Sequence, residues 1–154
     1  MANLDEIDRS LLAELQAQGR VTNVELAQRV GLTAPPCLRR VRALEDNGVI
    51  KGYHADLDAS QLGFAITVFA MVSLKSQAES ALKEFEEAMH DLPEVREVHM
   101  LNGEIDFILK VVSRDLQSFQ EFLTSKLTPA PNVESVKTSL TIRTSKHEPG
   151  VPLG

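Results

Sequence analysis

The stretch Thr22-Asn23-Val24-Glu25-Leu26-Ala27-Gln28-Arg29-Val30-Gly31-Leu32-Thr33-Ala34-Pro35-Pro36-Cys37-Leu38-Arg39-Arg40-Val41-Arg42 holds two helix starts with one stop between them. Thr22 stands three residues before Glu25, the spacing at which each side chain caps the other's backbone N–H. This predicts a short helix over 23–30, with Leu26, Ala27 and Val30 on its apolar face and Gly31 as its end. Thr33 then offers an N-cap hydroxyl. Pro35 and Pro36 fall in the first turn, where a missing N–H costs least. The third helix continues through Leu38, Val41 and Leu44 to Asn47, and Gly48 stops it. Upstream, Ile7, Leu11, Leu12 and Leu15 recur at helical spacing before Gly19. Three short helices with a tight turn between the second and third match a helix-turn-helix over residues 1–52, whose last helix would enter a DNA major groove.

Arg39, Arg40 and Arg42 read as lying on the side of the third helix away from Leu38, Val41 and Leu44. A guanidinium pairs bidentately with guanine O6 and N7 or with a phosphate, so three on one exposed helix is chemistry that DNA contact uses. The N-terminal turn meets base edges first, which nominates Thr33, Ala34, Pro35, Leu38 and Arg39. Arg42 and Arg20 are placed for phosphate. The same pattern also fits the solvated face of an ordinary three-helix core.

Beyond Gly52 the period changes. Residues 53–63 read as a linker strand and hinge, and 64–75 as the strongest strand, apolar at every even position from Phe64 to Leu74. Helical spacing returns over 77–91 with Leu82, Phe85 and Met89 inward. Strands over 95–101 and 105–112 flank Asn102-Gly103-Glu104, read as a tight turn in which Gly103 takes a positive φ. Asp115 opens a helix carrying Leu116, Phe119, Leu123 and Leu127, and 133–144 is a last strand. The order β-α-β-β-α-β over 64–146 is the ferredoxin-like arrangement: a four-stranded antiparallel sheet with both helices on one face. Its other face is half apolar, which suits a subunit interface. Residues 147–154 read as an irregular tail. The whole is α+β, a winged-helix-like head joined to a ferredoxin-like body.

Charge divides along the same line. Of 16 basic and 22 acidic residues in the 154-residue chain, residues 1–52 hold seven of each, so the net charge of −6 lies entirely in the remainder. Cys37 is the only cysteine, which excludes an internal disulfide; among apolar neighbours it reads as a buried, inert thiol. His54, His90, His99 and His147 are too scattered for a zinc site. No nucleophile elbow, phosphate loop or dinucleotide fingerprint occurs, so neither an enzyme nor a bound cofactor is expected. The most apolar stretch, 62–74, contains Thr67 and Ser73 and falls short of the roughly 18 residues a bilayer span needs. The opening residues lack the basic and apolar regions of a signal peptide, so a cytoplasmic protein without a membrane partner is expected.

Taken in order, several segments resemble the leucine-responsive and asparagine-responsive regulators, the Lrp/AsnC family. These are Leu4-Asp5-Glu6-Ile7-Asp8, Gly19-Arg20-Val21-Thr22, Glu25-Leu26-Ala27, Val30-Gly31-Leu32-Thr33, Pro36-Cys37-Leu38-Arg39-Arg40-Val41, Leu44-Glu45, Gly48-Val49-Ile50-Lys51-Gly52-Tyr53 and Gly103-Glu104-Ile105-Asp106-Phe107. The resemblance runs from about residue 4 to 146. It implies a transcription regulator of amino-acid metabolism that binds double-stranded DNA, assembles as a dimer and as an octamer or other higher oligomer, and answers to a small amino-acid effector bound between dimers. Two departures bear on specificity: Pro35 stands where members commonly carry Ser or Thr, and Glu104 replaces a commoner Asp.

A free amino acid is a zwitterion, so its site needs acceptors for the ammonium and donors for the carboxylate. Glu104 and Asp106 offer the first, and the backbone around Asn102 and Gly103 the second. Thr138 and Ser139 offer hydroxyls, and Met100 completes the candidate set. Two alternatives remain: an amino-acid-sensing module that controls an enzyme through protein contacts, and a chromosome-organising protein of low sequence preference.

Overall fold

Asp5 and Thr22 each start a helix by the same device. The Asp5 carboxylate accepts from the Asp8 N–H at 2.8 Å while Asp8 accepts from the Asp5 N–H at 3.3 Å, opening α1 (Glu6–Ala17). Thr22 and Glu25 exchange the equivalent bonds at 3.2 and 3.0 Å, opening α2 (Asn23–Arg29). The third helix, α3 (Ala34–Asp46), starts differently: Thr33 has the extended N-cap backbone, but its hydroxyl makes no cap bond. The donors it would use are those of the second and third helical residues, and these are Pro35 and Pro36. The expected cap hydroxyl is therefore left unused.

The computed structural model describes residues 4–153, so the first three residues of the expected head and the last of the tail lie outside it. The chain forms two compact units, Met1–Asp56 together with Lys146–Gly154, and Leu57–Ser145. In the first, Leu11 and Cys37 are fully buried and pack with Leu26, Ala27, Val41 and Leu44. Gly31, at φ 70°, makes the turn between α2 and α3. Burial pushes the Cys37 thiol up, which keeps it protonated and unreactive.

Arg40 joins α3 to the start of α1, its Nη1 donating to Asp5 Oδ2 and Asp8 Oδ1, both at 2.8 Å. The Asp8 backbone N–H, and after it Arg40, holds the Asp5 carboxyl below its ordinary value. Arg29 ties α2 to α1 by donating to Glu14 at 2.9 Å and to Gln18 at 3.0 Å. After α3, Tyr53 donates its hydroxyl to Glu45 at 2.8 Å, and burial with this acceptor pushes the phenol up to about 12.

The linker strand expected within 53–63 does not form. Extended backbone becomes a strand only against a ladder partner, and this segment has none among the described residues. Asp58 instead accepts from the N–H groups of Ser60 and Gln61, folding the hinge into turns.

The second unit runs β1 (Ile66–Leu74), α4 (Glu79–His90), β2 (Val95–Met100), β3 (Phe107–Ser113), α5 (Leu116–Phe122) and β4 (Val133–Leu140). The strands lie in the order β2-β3-β1-β4 with antiparallel neighbours, the ferredoxin-like topology. Val68, Ala70, Val72, Phe107, Leu109 and Val111 point to one face and bury against Phe85, Met89, Phe119 and Phe122 of the helices. Phe85 and Phe107 meet with ring centroids 4.9 Å apart. The last helix continues as a π-helical segment, Leu123–Leu127, where Thr124 and Ser125 hydroxyls donate back to the carbonyls of Gln120 and Glu121. Strand β4 ends at Leu140 rather than at 144. Its neighbour β1 begins at Ile66, the last bond is Thr141 N–H to Thr67 O, and Ile142 beyond it is 97% exposed.

Two consequences of the Arg40 cluster are measurable by melting the protein. Replacing Arg40 by Ala should lower the melting temperature of the first unit by a few degrees near neutral pH. Because folding depresses the Asp5 carboxyl, its contribution is present above the unfolded value and fades as pH falls through the lower folded value, so the difference between wild type and Arg40→Ala should shrink in that acid range. An equal difference at all pH values would remove the cluster from the stability of this unit.

Candidate nucleic-acid interface and ligand site

Successive residues of a helix are turned by 100°, and this separates the three arginines of α3. Pro35, Leu38, Arg39 and Arg42 share a face and, with Ala43 and Asp46, line a shallow open depression. Arg39 and Arg42 are exposed and form no ion pair among the described residues. Arg40 points elsewhere, held by Asp5 and Asp8, so the reading that put all three arginines on one outer side is corrected for Arg40. Leu38, assigned to the inner side, is 38% exposed and borders the arginine face.

At the head of this face Thr33 and Pro35 are exposed and Ala34 is half-buried. The Thr33 hydroxyl, released from capping by the two prolines, is free to donate outward. The Ala34 carbonyl accepts from Asn23 Nδ2 at 2.9 Å, which fixes the start of α2 to the start of α3. Asn23 carries no sequence signal for this role beyond its place after the Thr22 cap. Arg20 lies in the exposed turn between α1 and α2.

The candidate ligand residues divide. Met100 is the last residue of β2 and 60% exposed, and Asn102, Gly103 and Glu104 follow it in an exposed loop. Gly103 does not take the positive φ expected of it: the connection between β2 and β3 is long enough to turn without a left-handed residue. Asp106 is 9% exposed, and both of its carboxylate oxygens are occupied inside the fold. Oδ2 accepts from the Leu74 N–H at 2.7 Å and Oδ1 from Gln77 Nε2 at 3.0 Å. Val72 is the last residue of β1 paired with β3, through Phe107, so the Leu74 N–H faces an edge where the ladder has ended. The Asp106 side chain supplies the missing acceptor. Nothing local in the sequence marks Gln77 for this role.

Thr138 and Ser139 lie on β4, at the edge of the sheet opposite β2. Two strands intervene, so they stand roughly 14 Å from the β2 edge by strand spacing alone. They also point to opposite faces, Thr138 paired beside core-facing Ala70 and Ser139 beside outward Phe69. One chain therefore does not bring Thr138 or Ser139 to Asn102 and Glu104. The outward face presents Phe69, Met71, Ile108 and Val112 with a polar group in which Glu97 accepts from Lys110 at 2.9 Å and lies 3.1 Å from His99 Nε2. Lys110, and then His99, holds the Glu97 carboxyl low.

No group of three or more His, Cys, Asp or Glu is placed to hold a metal among the described residues. Among the described residues no helix is long and apolar enough to cross a membrane.

A helix-turn-helix head joined to a ferredoxin-like body defines a DNA-binding transcriptional regulator with a separate small-molecule unit. Residues 4–51 match the winged helix-turn-helix DNA-binding family, and 67–151 match the Lrp/AsnC ligand binding domain. The chain is 54% identical over 143 residues to the leucine-responsive regulatory protein of Rhizobium meliloti, covering 93% of this chain and 92% of that one. It is 41% identical to the Bkd operon transcriptional regulator of Pseudomonas aeruginosa over 153 residues, 99% of this chain and all of that one. A transcriptional regulator from Neisseria meningitidis, solved as a complex with L-Met, superposes with a TM-score of 0.93 at 34% identity, covering 98% of this chain and 97% of that one. The chain belongs to the Lrp/AsnC family. It is a transcriptional regulator with a DNA-binding head and an Lrp/AsnC ligand-binding domain.

Asp106→Ala leaves the buried Leu74 N–H without an acceptor and should destabilise the second unit by about 1–3 kcal/mol, while Glu104→Ala, in the exposed loop, should leave its stability unchanged. Urea unfolding followed by far-ultraviolet circular dichroism distinguishes the two; equal stability of both variants would refute the structural role of Asp106.

Proposed function

We propose that this protein reads a specific DNA site through the Pro35–Leu38–Arg39–Arg42 face of α3, and that a small amino acid controls that binding. One observation carries the reading: Arg39 and Arg42 stand exposed and unpaired on the face that begins with the unused Thr33 hydroxyl. Ala34, Pro35 and Leu38 supply apolar contacts suited to thymine methyls, Arg39 reads a base edge, and Arg42, Arg20 and Thr33 hold phosphates. Arg40 acts as a positioning residue through its bond to α1.

The half-apolar outer sheet face supports pairing of two copies in a dimer, with further assembly to an octamer or other higher oligomer. The effector site would then draw on more than one copy. Met100, Asn102, Gly103 and Glu104 come from one loop, and Thr138 and Ser139 belong to a different edge; Asp106 acts from beneath by shaping the loop. The relative solved with L-Met supports an amino acid as the effector and amino-acid metabolism as the process regulated. A DNA-binding regulator with this chemistry works in the cytoplasm.

Fluorescence anisotropy on DNA flanking the protein's own gene, with each of the twenty amino acids, tests the reading. Arg39→Ala should cost about 1–3 kcal/mol and relax preference at one base. Arg42→Ala should weaken all sites alike and reduce the salt slope by about 0.9. Arg40→Ala, measured well below its melting temperature, should bind within a few-fold of wild type. Undiminished binding by the double Arg39, Arg42 variant would remove α3 from DNA recognition, and no bound site with any amino acid would sink the regulator reading.

A further inference from the structure

The C-terminal segment is irregular, yet it is seated on α1 by specific chemistry. The carboxamide of Gln16, an exposed residue near the end of α1, meets the backbone of Val151 at both ends. Gln16 Nε2 donates to Val151 O at 2.9 Å, and the Val151 N–H donates to Gln16 Oε1 at 3.1 Å. A primary amide presents a donor and an acceptor side by side, as the N–H and C=O of one strand residue do, so this pair copies one hydrogen-bonded residue pair of an antiparallel ladder.

The neighbouring residues fit that rung. Gly150 is at φ 75°, a conformation that side chains rarely adopt, and a Cβ there would collide with the Gln16 carboxamide. Pro149 and Pro152 flank the Gly-Val pair and fix their own φ, so less backbone freedom is lost on docking. Leu153 is partly buried while the Val151 side chain is 61% exposed, so the Val151 main chain, not its side chain, makes the contact. The segment has come back to the first unit after the chain has passed through the whole of the second, Leu57–Ser145.

We propose that α1 carries a docking surface for the chain's own C-terminus: the Gln16 carboxamide takes the Pro-Gly-Val-Pro segment at 149–152 through its main chain, and so gives the DNA-binding unit a second attachment besides the linker before Leu57. The sensing unit is thereby tied to the head at both of its chain ends, the later one a short distance beyond β4. The effect of this clasp on DNA binding rests on the proposed function; the docking itself does not.

Hydrogen-exchange mass spectrometry on the full chain tests the docking. Pro149 and Pro152 have no N–H, so the C-terminal peptide reports few amides, and Val151 should exchange roughly tenfold more slowly than in an unstructured peptide. Gln16→Ala, on an exposed position that should not disturb folding, abolishes that protection while exchange elsewhere in α1 is unchanged, and Gly150→Ala does the same. Free exchange of Val151 in wild type, or protection that persists in Gln16→Ala, overturns the docking. In anisotropy titrations both variants should shift the amino-acid concentration that changes DNA affinity by severalfold. A response identical to wild type overturns the clasp's role while leaving the docking in place. A wild type that binds no DNA defeats the regulator reading alone, because the exchange result is read without DNA.

Discussion

A thirteen-residue helix has one circumference to share, and α3 is asked to do three things with it. Cys37, Val41 and Leu44 must enter the core, Arg40 must reach Asp5 and Asp8, and what remains must face outward. At 100° per residue these demands do not overlap, and Pro35, Leu38, Arg39, Arg42 and Asp46 are left together on the third sector. The exposed face is thus defined by subtraction. The ion pair anchors one side of the helix and the core another, so the arginine face has a single orientation within its unit. The paired prolines add to this by removing the donors that would have occupied Thr33.

Which parts were legible in the sequence follows from how local their causes are. The cap at Thr22, the Gly31 turn and the alternation along β1 depend on residues a few positions apart, and helix and strand boundaries lie within a few residues of those the pattern predicts. The role of Arg40 is hidden because adjacency in an arginine run says nothing about angle, and its partners lie more than thirty residues away. The structural partners of Asp106 are hidden for the same reason. Beside Gly103 and Glu104 it looks like a solvated turn carboxylate, and only the early end of the β1–β3 ladder reveals the Leu74 N–H it must satisfy. The linker strand is a different case: the sequence of 53–63 allows an extended segment, but a ladder needs a second chain segment, and none is offered among the described residues. The π-helical segment coincides with two hydroxyls bonding back to carbonyls, a local feature that periodicity does not register.

The sheet of the second unit is covered on one face only, and this governs what a single chain can do. Its loop at 101–104 and its Thr138 and Ser139 are held at different edges by the same strand order that builds the core. In the proposed effector site a ligand touching both would draw them from separate copies, which would join the binding site to the assembly surface. Burying Phe69, Met71, Ile108 and Val112 would also enclose the Glu97, His99 and Lys110 group, whose charges would then have to remain matched.

The charge count takes on meaning only after internal pairs are removed. The head is neutral overall, but Arg40 is spent on Asp5 and Asp8, and Arg29 on Glu14. Arg9, Arg20, Arg39, Arg42 and Lys51 form no ion pair among the described residues, and two of these five lie on the outer face of α3. Three of the head's seven acids are consumed in those pairs, so a neutral unit presents its unpaired cations outward. The number is still small. With each phosphate contact worth about 0.9 in salt slope, one head alone would hold DNA weakly at physiological salt. Joining heads converts the second contact into an intramolecular event and raises affinity without any new residue. The modest charge of the head and the uncovered sheet face of the body therefore both fit the proposed assembly, in which binding strength would come from how many copies act together and a ligand shared between copies would change that number.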